Sequence, residues 1–349
     1  MKAETIRLDS NPVNTSAGKT DNSCPSEVPD TESGVLSCTV VDVGSRYGLH
    51  PTWNELRDLV EFHLFEMDVD EARRLSAKYE ANPKVHIHPY ALYSSEGPRT
   101  YYEKKHKALS TFYRTDGDLL TRQKHMVDDF RSARRQETYT RTLDAVFADQ
   151  PVHFLKIDAE GAELEILKGA ERQLGGHVLG VRSEVLFSRI FKAGPLFGDV
   201  HEFLLDRGFE LINLAYDGRG SSPGRFTLPH RYGRLISSDG VWLKAYDRLV
   251  KDSNHRAENV IRAALFLMLN SATDVAVDLL LRMADEEEDY VDRLQRAPLF
   301  LKLKEKTAFL FKDLLLLPYI RKEEVHETYF KIFKAQFPER HLFYETFSL

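Results

Sequence analysis

The stretch FLKIDAEGAEL at residues 154–164 decides the fold of this 349-residue chain. It opens with a short, mainly apolar run, which is typical of a buried parallel strand. Three carboxylates follow, and apolar residues then recur at helical spacing at Leu164, Leu167, Ala170 and Leu174. We predict a strand over Val152–Asp158, an acidic turn and a helix, which is the repeating unit of a parallel α/β sheet.

Similar apolar runs alternate with amphipathic stretches on both sides of this unit. They predict strands over Cys38–Val43, Phe62–Glu66, Val85–Leu92, Val178–Leu186, Phe209–Ala215 and Gly240–Tyr246, and helices over Asp68–Ala81 and Val200–Arg207. The last two strands are separated by a loop rich in Gly, Ser and Pro with no helical pattern, so we expect them to pair antiparallel. The fold class is therefore α/β, a mostly parallel seven-stranded sheet with an antiparallel last strand.

Three segments lie outside this pattern. Residues 1–34 are polar with few large apolar side chains, which predicts a disordered tail. Residues 93–140, inside a domain over 35–252, are long and locally basic. We expect them to cover the substrate side of the cleft, where their Lys and Arg residues favour an acidic or phosphate-bearing acceptor; the alternative is a passive surface loop. Residues 253–349 read as a helical extension.

The composition excludes several classes of protein. A net charge of −6 gives no support for a nucleic-acid partner, because phosphate is normally bound by a basic surface. Cys24 and Cys38 make neither a disulfide framework nor a metal site, which favours a reducing compartment. We see no signal-like start and no apolar run near the roughly 18 residues that a membrane span needs. We therefore expect a cytoplasmic protein without a transmembrane segment.

A second motif, VVDVGSRYG at residues 40–48, is a strand that runs into a glycine-containing turn. Gly44 allows a ligand to approach the backbone closely, at the sheet edge where α/β folds bind ligands. Glu66, at the end of the second strand, is suited to accept the hydroxyl hydrogens of a ribose. Its alternative role is to cap the following helix.

Charged residues also surround the central strand. Lys156 lies within an apolar strand and needs a partner, for which Glu184 on the next strand is the candidate. Asp158, Glu160 and Glu163 stand at the strand-to-helix junction. His86 and His88 alternate along strand three, and we expect them to be packed or surface residues.

The run at residues 154–170 resembles the LKIDVEGAE…LKGA segment of the FkbM family of S-adenosylmethionine-dependent methyltransferases. DVGSRYG at 42–48 is similar to the family's DVGANxG turn, and Phe65-Glu66 to its FEP strand. Shorter matches lie at Ala91, Ser110, Thr142-Leu143-Asp144, Glu184-Val185 and Gly208-Phe209. The resemblance covers about residues 38–247, and its central motif is specific.

This resemblance implies a class I (Rossmann-like) methyltransferase fold with S-adenosylmethionine as the cofactor. Family members O-methylate sugars and a macrolide hydroxyl, which implies a hydroxyl acceptor on a small molecule or glycan. Arg46 and Met67 depart from the family's usual Asn and Pro, and Arg46 is expected to alter the substrate side of the turn. The residues expected at the cofactor are Asp42, Gly44, Ser45, Gly48, Glu66, Ala91 and Asp158.

Methyl transfer to an alcohol needs in-line positioning and a general base. Asp158 and Glu160 are the first candidates for the base and Glu184 is the third, although Asp158 alternatively binds the methionine end of the cofactor. A divalent metal on these carboxylates is another alternative, but no compact ligand spacing predicts a metal site.

Two functions of other classes compete with methyl transfer. A dinucleotide-dependent oxidoreductase is disfavoured, because the turn lacks the G-x-G-x-x-G spacing that brings a backbone against a pyrophosphate. A non-catalytic binding or scaffold protein of the same fold would use the C-terminal helices. Self-association through those helices is a further expectation.

Overall fold

The computed structural model describes residues 37–117, 130, 132–220, 234–252, 254–287 and 290. The predicted tail at 1–34 lies outside these residues, as does the chain from 291 onward. The strands are β1 Thr39–Val43, β2 Glu61–Phe65, β3 Val85–His88, β4 Ala91–Leu92, β5 Gly97–Lys104, β6 Ser132–Arg141, β7 Phe154–Ile157, β8 Gly180–Leu186, β9 Phe209–Gly220 and β10 Arg234–Lys244.

The helices alternate with these strands. They are α1 Val69–Tyr79, α2 Leu143–Val146, α3 Glu163–Lys168, α4 Glu171–Gly176, α5 Phe197–Leu205, α6 Tyr246–Leu249, α7 Arg256–Leu269 and α8 Thr273–Glu286, with 3-10 turns at Pro51–Leu56 and Lys107–Leu109. Within the described ranges, no helix is both long enough and apolar enough to cross a membrane.

Seven strands form the main sheet, in the order β3-β2-β1-β7-β8-β10-β9. The first five are parallel to one another, and β10 lies between β8 and β9 and is antiparallel to both. A parallel β9–β10 pair would need a crossover, for which the sequence between them has no helical pattern. The predicted mostly parallel, seven-stranded α/β sheet is confirmed, including its antiparallel last strand.

The single strand predicted over Val85–Leu92 is wrong, because two strands in different sheets occupy it. β3 ends at His88, and Pro89 follows with no N–H to offer the main sheet. β4 pairs instead with β6, in a three-stranded sheet of order β4-β6-β5. The segment 93–140 therefore contains a folded β-layer.

The helical pattern after β7 is divided into two short helices, α3 and α4, by a close contact at Gly169. A Cβ at this position would lie 2.2 Å from the carbonyl oxygen of Tyr93. Asp144 then accepts the N–H groups of Arg172 and Gln173, at 2.7 and 3.0 Å, in the first turn of α4. The apolar side chains keep the predicted face, while the backbone turns to pack against the chain after β4.

Side chains that alternate along the strands fill two cores, one on each face of the main sheet. On one face, Val40 and Phe62 pack with α7 and α8. On the other face, Val41, Phe65 and Leu155 pack with α3, α4 and α5. The helices that follow residue 252 thus complete a core that the strands begin.

Phe266 packs α7 against the sheet. Its ring stacks on Phe154 with centroids 5.0 Å apart and lies 6.3 Å from the ring of Trp53. A Cβ at Gly180 would come within 2.6 Å of the Phe266 ring, so the glycine leaves the space that the ring fills. α7 is therefore seated on the central strands.

We expect Phe266→Ala to lower the free energy of unfolding by about 3–5 kcal/mol, the usual cost of removing a buried Phe side chain. Urea denaturation followed by tryptophan fluorescence measures this change. Leu205→Ala is the matched control, because Leu205 is 48% exposed and should cost about 0.5 kcal/mol or less. A cost for Phe266→Ala as small as that of the control would show that α7 is not part of the core.

Candidate functional site

The site begins where the turns after β1 and β7 meet. Gly44 follows β1 with a φ of +79°, and its N–H donates to the carbonyl oxygen of Phe65 at 3.1 Å. A Cβ at position 44 would lie 1.8 Å from the carbonyl oxygen of Asp158. Only glycine allows both this φ and this approach. The contact gathers the ends of β1, β2 and β7 at the carboxyl edge of the sheet, where open α/β sheets bind ligands.

A buried ion pair joins β1 to β7 beneath these turns. Lys156 Nζ lies 3.4 Å from Asp42 Oδ1 and 3.4 Å from Asp158 Oδ2, and both Lys156 and Asp42 are buried. Burial acts to lower the pKa of Lys156, but these carboxylates outweigh it and raise the pKa above its ordinary value. Lys156 therefore remains charged.

The expected pairing of Lys156 with Glu184 is wrong. Asp42 is the register partner of Lys156 on β1, so their side chains lie side by side. On β8 the register partner of Lys156 is Arg182, and Glu184 lies two residues further along. The nearer carboxylate therefore takes the ion pair, and Glu184 is left to another role.

A cavity of about 330 Å³ opens at this edge of the sheet. Four of the residues predicted at the cofactor line it: Gly44, Glu66, Ala91 and Asp158. The other three, Asp42, Ser45 and Gly48, do not line the cavity but stabilise the turn after β1. Ser45 Oγ donates to the carbonyl oxygen of Asp42 at 2.5 Å, and the N–H of Gly48 donates to the carbonyl oxygen of Ser45 at 2.8 Å.

Glu66 stands on the cavity wall at the end of β2 and is 7% exposed. Its Oε1 accepts the N–H of Asp68 at 2.7 Å. Burial raises the pKa of Glu66, and the hydrogen bond from Asp68 opposes that rise. The alternative role of capping α1 belongs to Asp68, whose Oδ1 accepts the N–H groups of Asp70 and Glu71.

Residues 93–140, which we call the insertion, contribute the other wall of the cavity through the segment 106–110 and Phe112. An ion pair fastens this wall beside Glu66, because Lys107 Nζ lies 2.9 Å from Asp68 Oδ2. Arg46 Nη1, on the turn after β1, lies 3.3 Å from the same oxygen. Partial burial acts to raise the pKa of Asp68, but hydrogen bonds, with that from Lys107 the strongest, lower it to about 2. The carboxylate therefore stays ionised and keeps both partners.

Basic residues of the insertion are engaged within the protein. Lys107 pairs with Asp68, Arg134 pairs with Glu103, and the buried Lys104 donates to the hydroxyl of Thr115. The charges of Lys107 and Arg134 are thus balanced by neighbouring carboxylates. This arrangement gives no support to the expected preference for an acidic or phosphate-bearing acceptor.

Asp158, Glu160 and Glu184 converge beside the cavity, with carboxylate oxygens within 4.8 Å of one another. Asp158 and Glu160 also line the cavity, and Glu184 reaches the group from β8. Burial raises the pKa of both Glu160 and Glu184 well above the ordinary value, and neighbouring carboxylates add to the rise. A raised pKa makes an ionised carboxylate a stronger base, and oxygen ligands of this kind also suit a divalent cation.

The backbone that carries Glu160 is held in an uncommon conformation. Its φ is +52°, a region that costs a non-glycine residue about 1–2 kcal/mol. Thr111 Oγ1 donates to the Glu160 carbonyl oxygen at 2.6 Å, and Glu163 Oε1 accepts the N–H groups of Ala159 and Gly161 at 2.9 and 3.2 Å. Strain of this kind persists only where the surrounding structure holds it.

A family model described as the Methyltransferase FkbM domain matches residues 42–211. The match runs from Asp42 beneath the glycine turn to the start of β9, so it includes every element around the cavity. We refer to these matched residues, 42–211, as the FkbM domain. No curated protein matches the sequence.

Solved structures similar to this chain include an FkbM methyltransferase from Methylobacillus flagellatus KT, with 14% identity and a TM-score of 0.36 over 60% of this chain and 44% of that one. A structure of MtNAS in complex with MTA and tNA has 10% identity and a TM-score of 0.28, over 60% and 54%. A SAM-dependent methyltransferase from Aquifex aeolicus has 10% identity and a TM-score of 0.26, over 59% and 82%. This chain spans about half the length of the first two.

Several residues of the FkbM domain that line the cavity were not predicted from the sequence. The missed lining residues include Tyr90, His106, Leu109 and Phe112. They follow no helical or strand periodicity, because they lie on turns and on the insertion. The available signal was positional: the insertion leaves strand three and returns to strand four at the ligand-binding edge.

We expect the stability of the FkbM domain to depend on pH through Glu163, which is 3% exposed. Burial raises the pKa of Glu163 from 4.5 to about 7. The folded state thus favours the protonated form, so this contribution is complete below about pH 4.5 and is lost as the pH rises towards about 7. Glu163→Gln retains an oxygen for Ala159 and Gly161 but carries no titrating proton. The free energy of unfolding of Glu163→Gln, taken relative to wild type, should therefore increase by about 1–3 kcal/mol as the pH is raised from about 5 to about 8.

Urea unfolding of both proteins at the two pH values measures this difference. Glu210→Gln, at an exposed position on β9, is the control and should shift stability equally at both. An equal shift for Glu163→Gln would mean that Glu163 does not titrate differently in the folded and unfolded states.

Proposed function

We propose that this protein transfers a methyl group from S-adenosylmethionine to a hydroxyl oxygen of a sugar-containing or related small molecule or glycan. One observation carries the proposal: a single cavity joins Gly44, Glu66 and Ala91 to the carboxylates of Asp158 and Glu160. A binding wall and candidate bases thereby face the same space.

The cavity suits the nucleoside part of this cofactor. Its volume of about 330 Å³ falls in the range of small-molecule sites, about 300–1,000 Å³. Phe65, Tyr90 and Leu92 offer an apolar surface for a flat base, and the Glu66 carboxylate is placed to accept ribose hydroxyl hydrogens. S-adenosylmethionine supplies an electrophilic methyl carbon on a sulfonium.

The three neighbouring carboxylates of Asp158, Glu160 and Glu184 support proton removal from the acceptor. When bound, S-adenosylmethionine would give its methyl carbon to the acceptor oxygen and would leave as a neutral thioether. The hydroxyl proton moves to a carboxylate oxygen of Glu160 or Asp158, with Glu184 as the third candidate. Burial and like charge strengthen Glu160 and Glu184 as bases, and this cluster also favours a neutral alcohol over an acidic acceptor.

Ligand binding distinguishes a methyltransferase from a dinucleotide-dependent enzyme. S-adenosylhomocysteine should raise the melting temperature and NAD should not, because a ligand that binds the native state stabilises it. Glu66→Gln should weaken S-adenosylhomocysteine binding about 10-fold or more, since hydrogen bonds to a charged group contribute about 1.5–3 kcal/mol. Isothermal titration calorimetry measures both ligands.

Glu80→Gln, at an exposed position after α1, is the matched control and should bind like wild type. Equal affinity in the wild type and Glu66→Gln would remove Glu66 from the cofactor site. Binding of NAD in place of S-adenosylhomocysteine would overturn the proposed function.

Substitution of the candidate carboxylates identifies the general base. Asp158→Asn, Glu160→Gln and Glu184→Gln remove one candidate carboxylate each, and loss of the true base should lower turnover about 10²–10⁴-fold while affinity for S-adenosylhomocysteine stays near the wild-type value. Release of S-adenosylhomocysteine with a panel of hydroxylated glycosides and macrolides measures turnover.

Glu165→Gln is the control, because the Glu165 carboxylate on α3 accepts a hydrogen bond from the Ser94 hydroxyl and is not one of the three candidate bases. Loss of cofactor affinity in Asp158→Asn would place Asp158 at the methionine end of the cofactor. Wild-type turnover in all three variants would exclude these carboxylates as the base.

A further inference from the structure

A second group of ionisable side chains lies on β2 and β3, away from the cavity. Glu61, His63 and His86 each offer a ligand atom, and these atoms lie within 4.8 Å of one another. His63 and His86 are register partners on parallel strands, so their rings lie side by side with centroids 4.7 Å apart. Glu61 precedes His63 by two residues and therefore shares its face of the sheet.

His63 is the buried member of this group, at 8% exposure. Its Nδ1 lies 3.0 Å from His88 Nε2, and His88 Nδ1 lies 3.2 Å from the hydroxyl of Tyr90. His63 Nε2 is buried and has no hydrogen-bond partner within the described part of the chain. A buried polar atom left in this way costs about 1–3 kcal/mol, which calls for an explanation.

The hydrogen-bond chain prepares His63 to bind a cation. If His63 Nδ1–H donates to His88, Nε2 holds a lone pair, which is the state in which imidazole binds metals. A partner on the second ring nitrogen is the usual way in which a metal-binding histidine is oriented.

We propose that Glu61, His63 and His86 bind a zinc ion. Two imidazoles and a carboxylate are a known zinc donor set, whereas magnesium and calcium prefer oxygen ligands alone. Glu61 and His86 are exposed, so their side chains are able to rotate towards the buried nitrogen until each ligand is about 2.0–2.2 Å from the metal. Gln150 Nε2 donates to Glu61 Oε2 at 3.1 Å and holds the carboxylate at the group.

The site would fasten the edge strand β3 to β2. Among the described residues, β3 is the last strand of the main sheet on its side and has one strand neighbour, β2. A metal bound only in the native state adds to stability, and none of its three ligands here lines the cavity. The three ligands come from two strands, which explains why sequence spacing gave no signal.

The full-length protein, stripped with a chelator and dialysed, tests this proposal by zinc titration in competition with a chromogenic chelator. We expect one tight site in the wild type. His86→Ala and Glu61→Gln should each lower the affinity for zinc by more than about 100-fold, since loss of a residue that only orients a ligand costs about 10–100-fold. Cobalt substitution should give a visible spectrum in the wild type that both variants lack.

His255→Ala is the matched control, because His255 is an exposed histidine that pairs with Asp252 elsewhere on the surface. It should bind zinc like the wild type, and zinc should raise the melting temperature of both but not of His86→Ala. Binding of S-adenosylhomocysteine should be unchanged in all variants, which shows that they fold. Absence of a tight site in the wild type, or equal zinc affinity in the wild type and His86→Ala, would overturn the proposal.

Discussion

The close approach of Gly44 to the carbonyl oxygen of Asp158 is the contact on which the site depends. It requires a glycine φ and leaves no space for a side chain, so the turns after β1 and β7 meet through their backbones. The Lys156–Asp42 pair lies directly beneath and joins the same strands. Removing the charge of Lys156 would leave the buried Asp42 without this partner, which typically costs about 3–5 kcal/mol. Stability and site geometry thus share one set of residues.

The insertion extends this arrangement to the walls of the cavity. Lys107 reaches Asp68 beside Glu66, while Thr111 holds the carbonyl oxygen of Glu160. One segment therefore contacts both the expected cofactor side and the acidic turn. Arg46, where the family usually has Asn, joins this set by pairing with Asp68 at the cavity. The departure from the family pattern has a structural partner in this chain.

Patterns of local periodicity predicted most of the sheet, because each strand is a short apolar run and each turn carries glycine or acids. They also placed Gly44, Glu66 and Asp158 on the cavity. They failed where a distant neighbour decides the outcome. The partner of Lys156 is set by strand register, β3 ends because Pro89 has no N–H, and Phe112 reaches the cavity on a segment without periodicity. Such contacts depend on tertiary structure, which no single window of sequence contains.

The stacking of Phe266 on Phe154 changes how the boundary of the protein should be understood. The FkbM match ends at residue 211, but the apolar face of the sheet continues under α7. A chain truncated after residue 252 would expose Trp53 and Phe154 as part of a contiguous apolar patch. Patches of that kind drive aggregation and bind chaperones. A premature stop codon just ahead of α7 would therefore act through loss of folded protein, even with every cavity residue present.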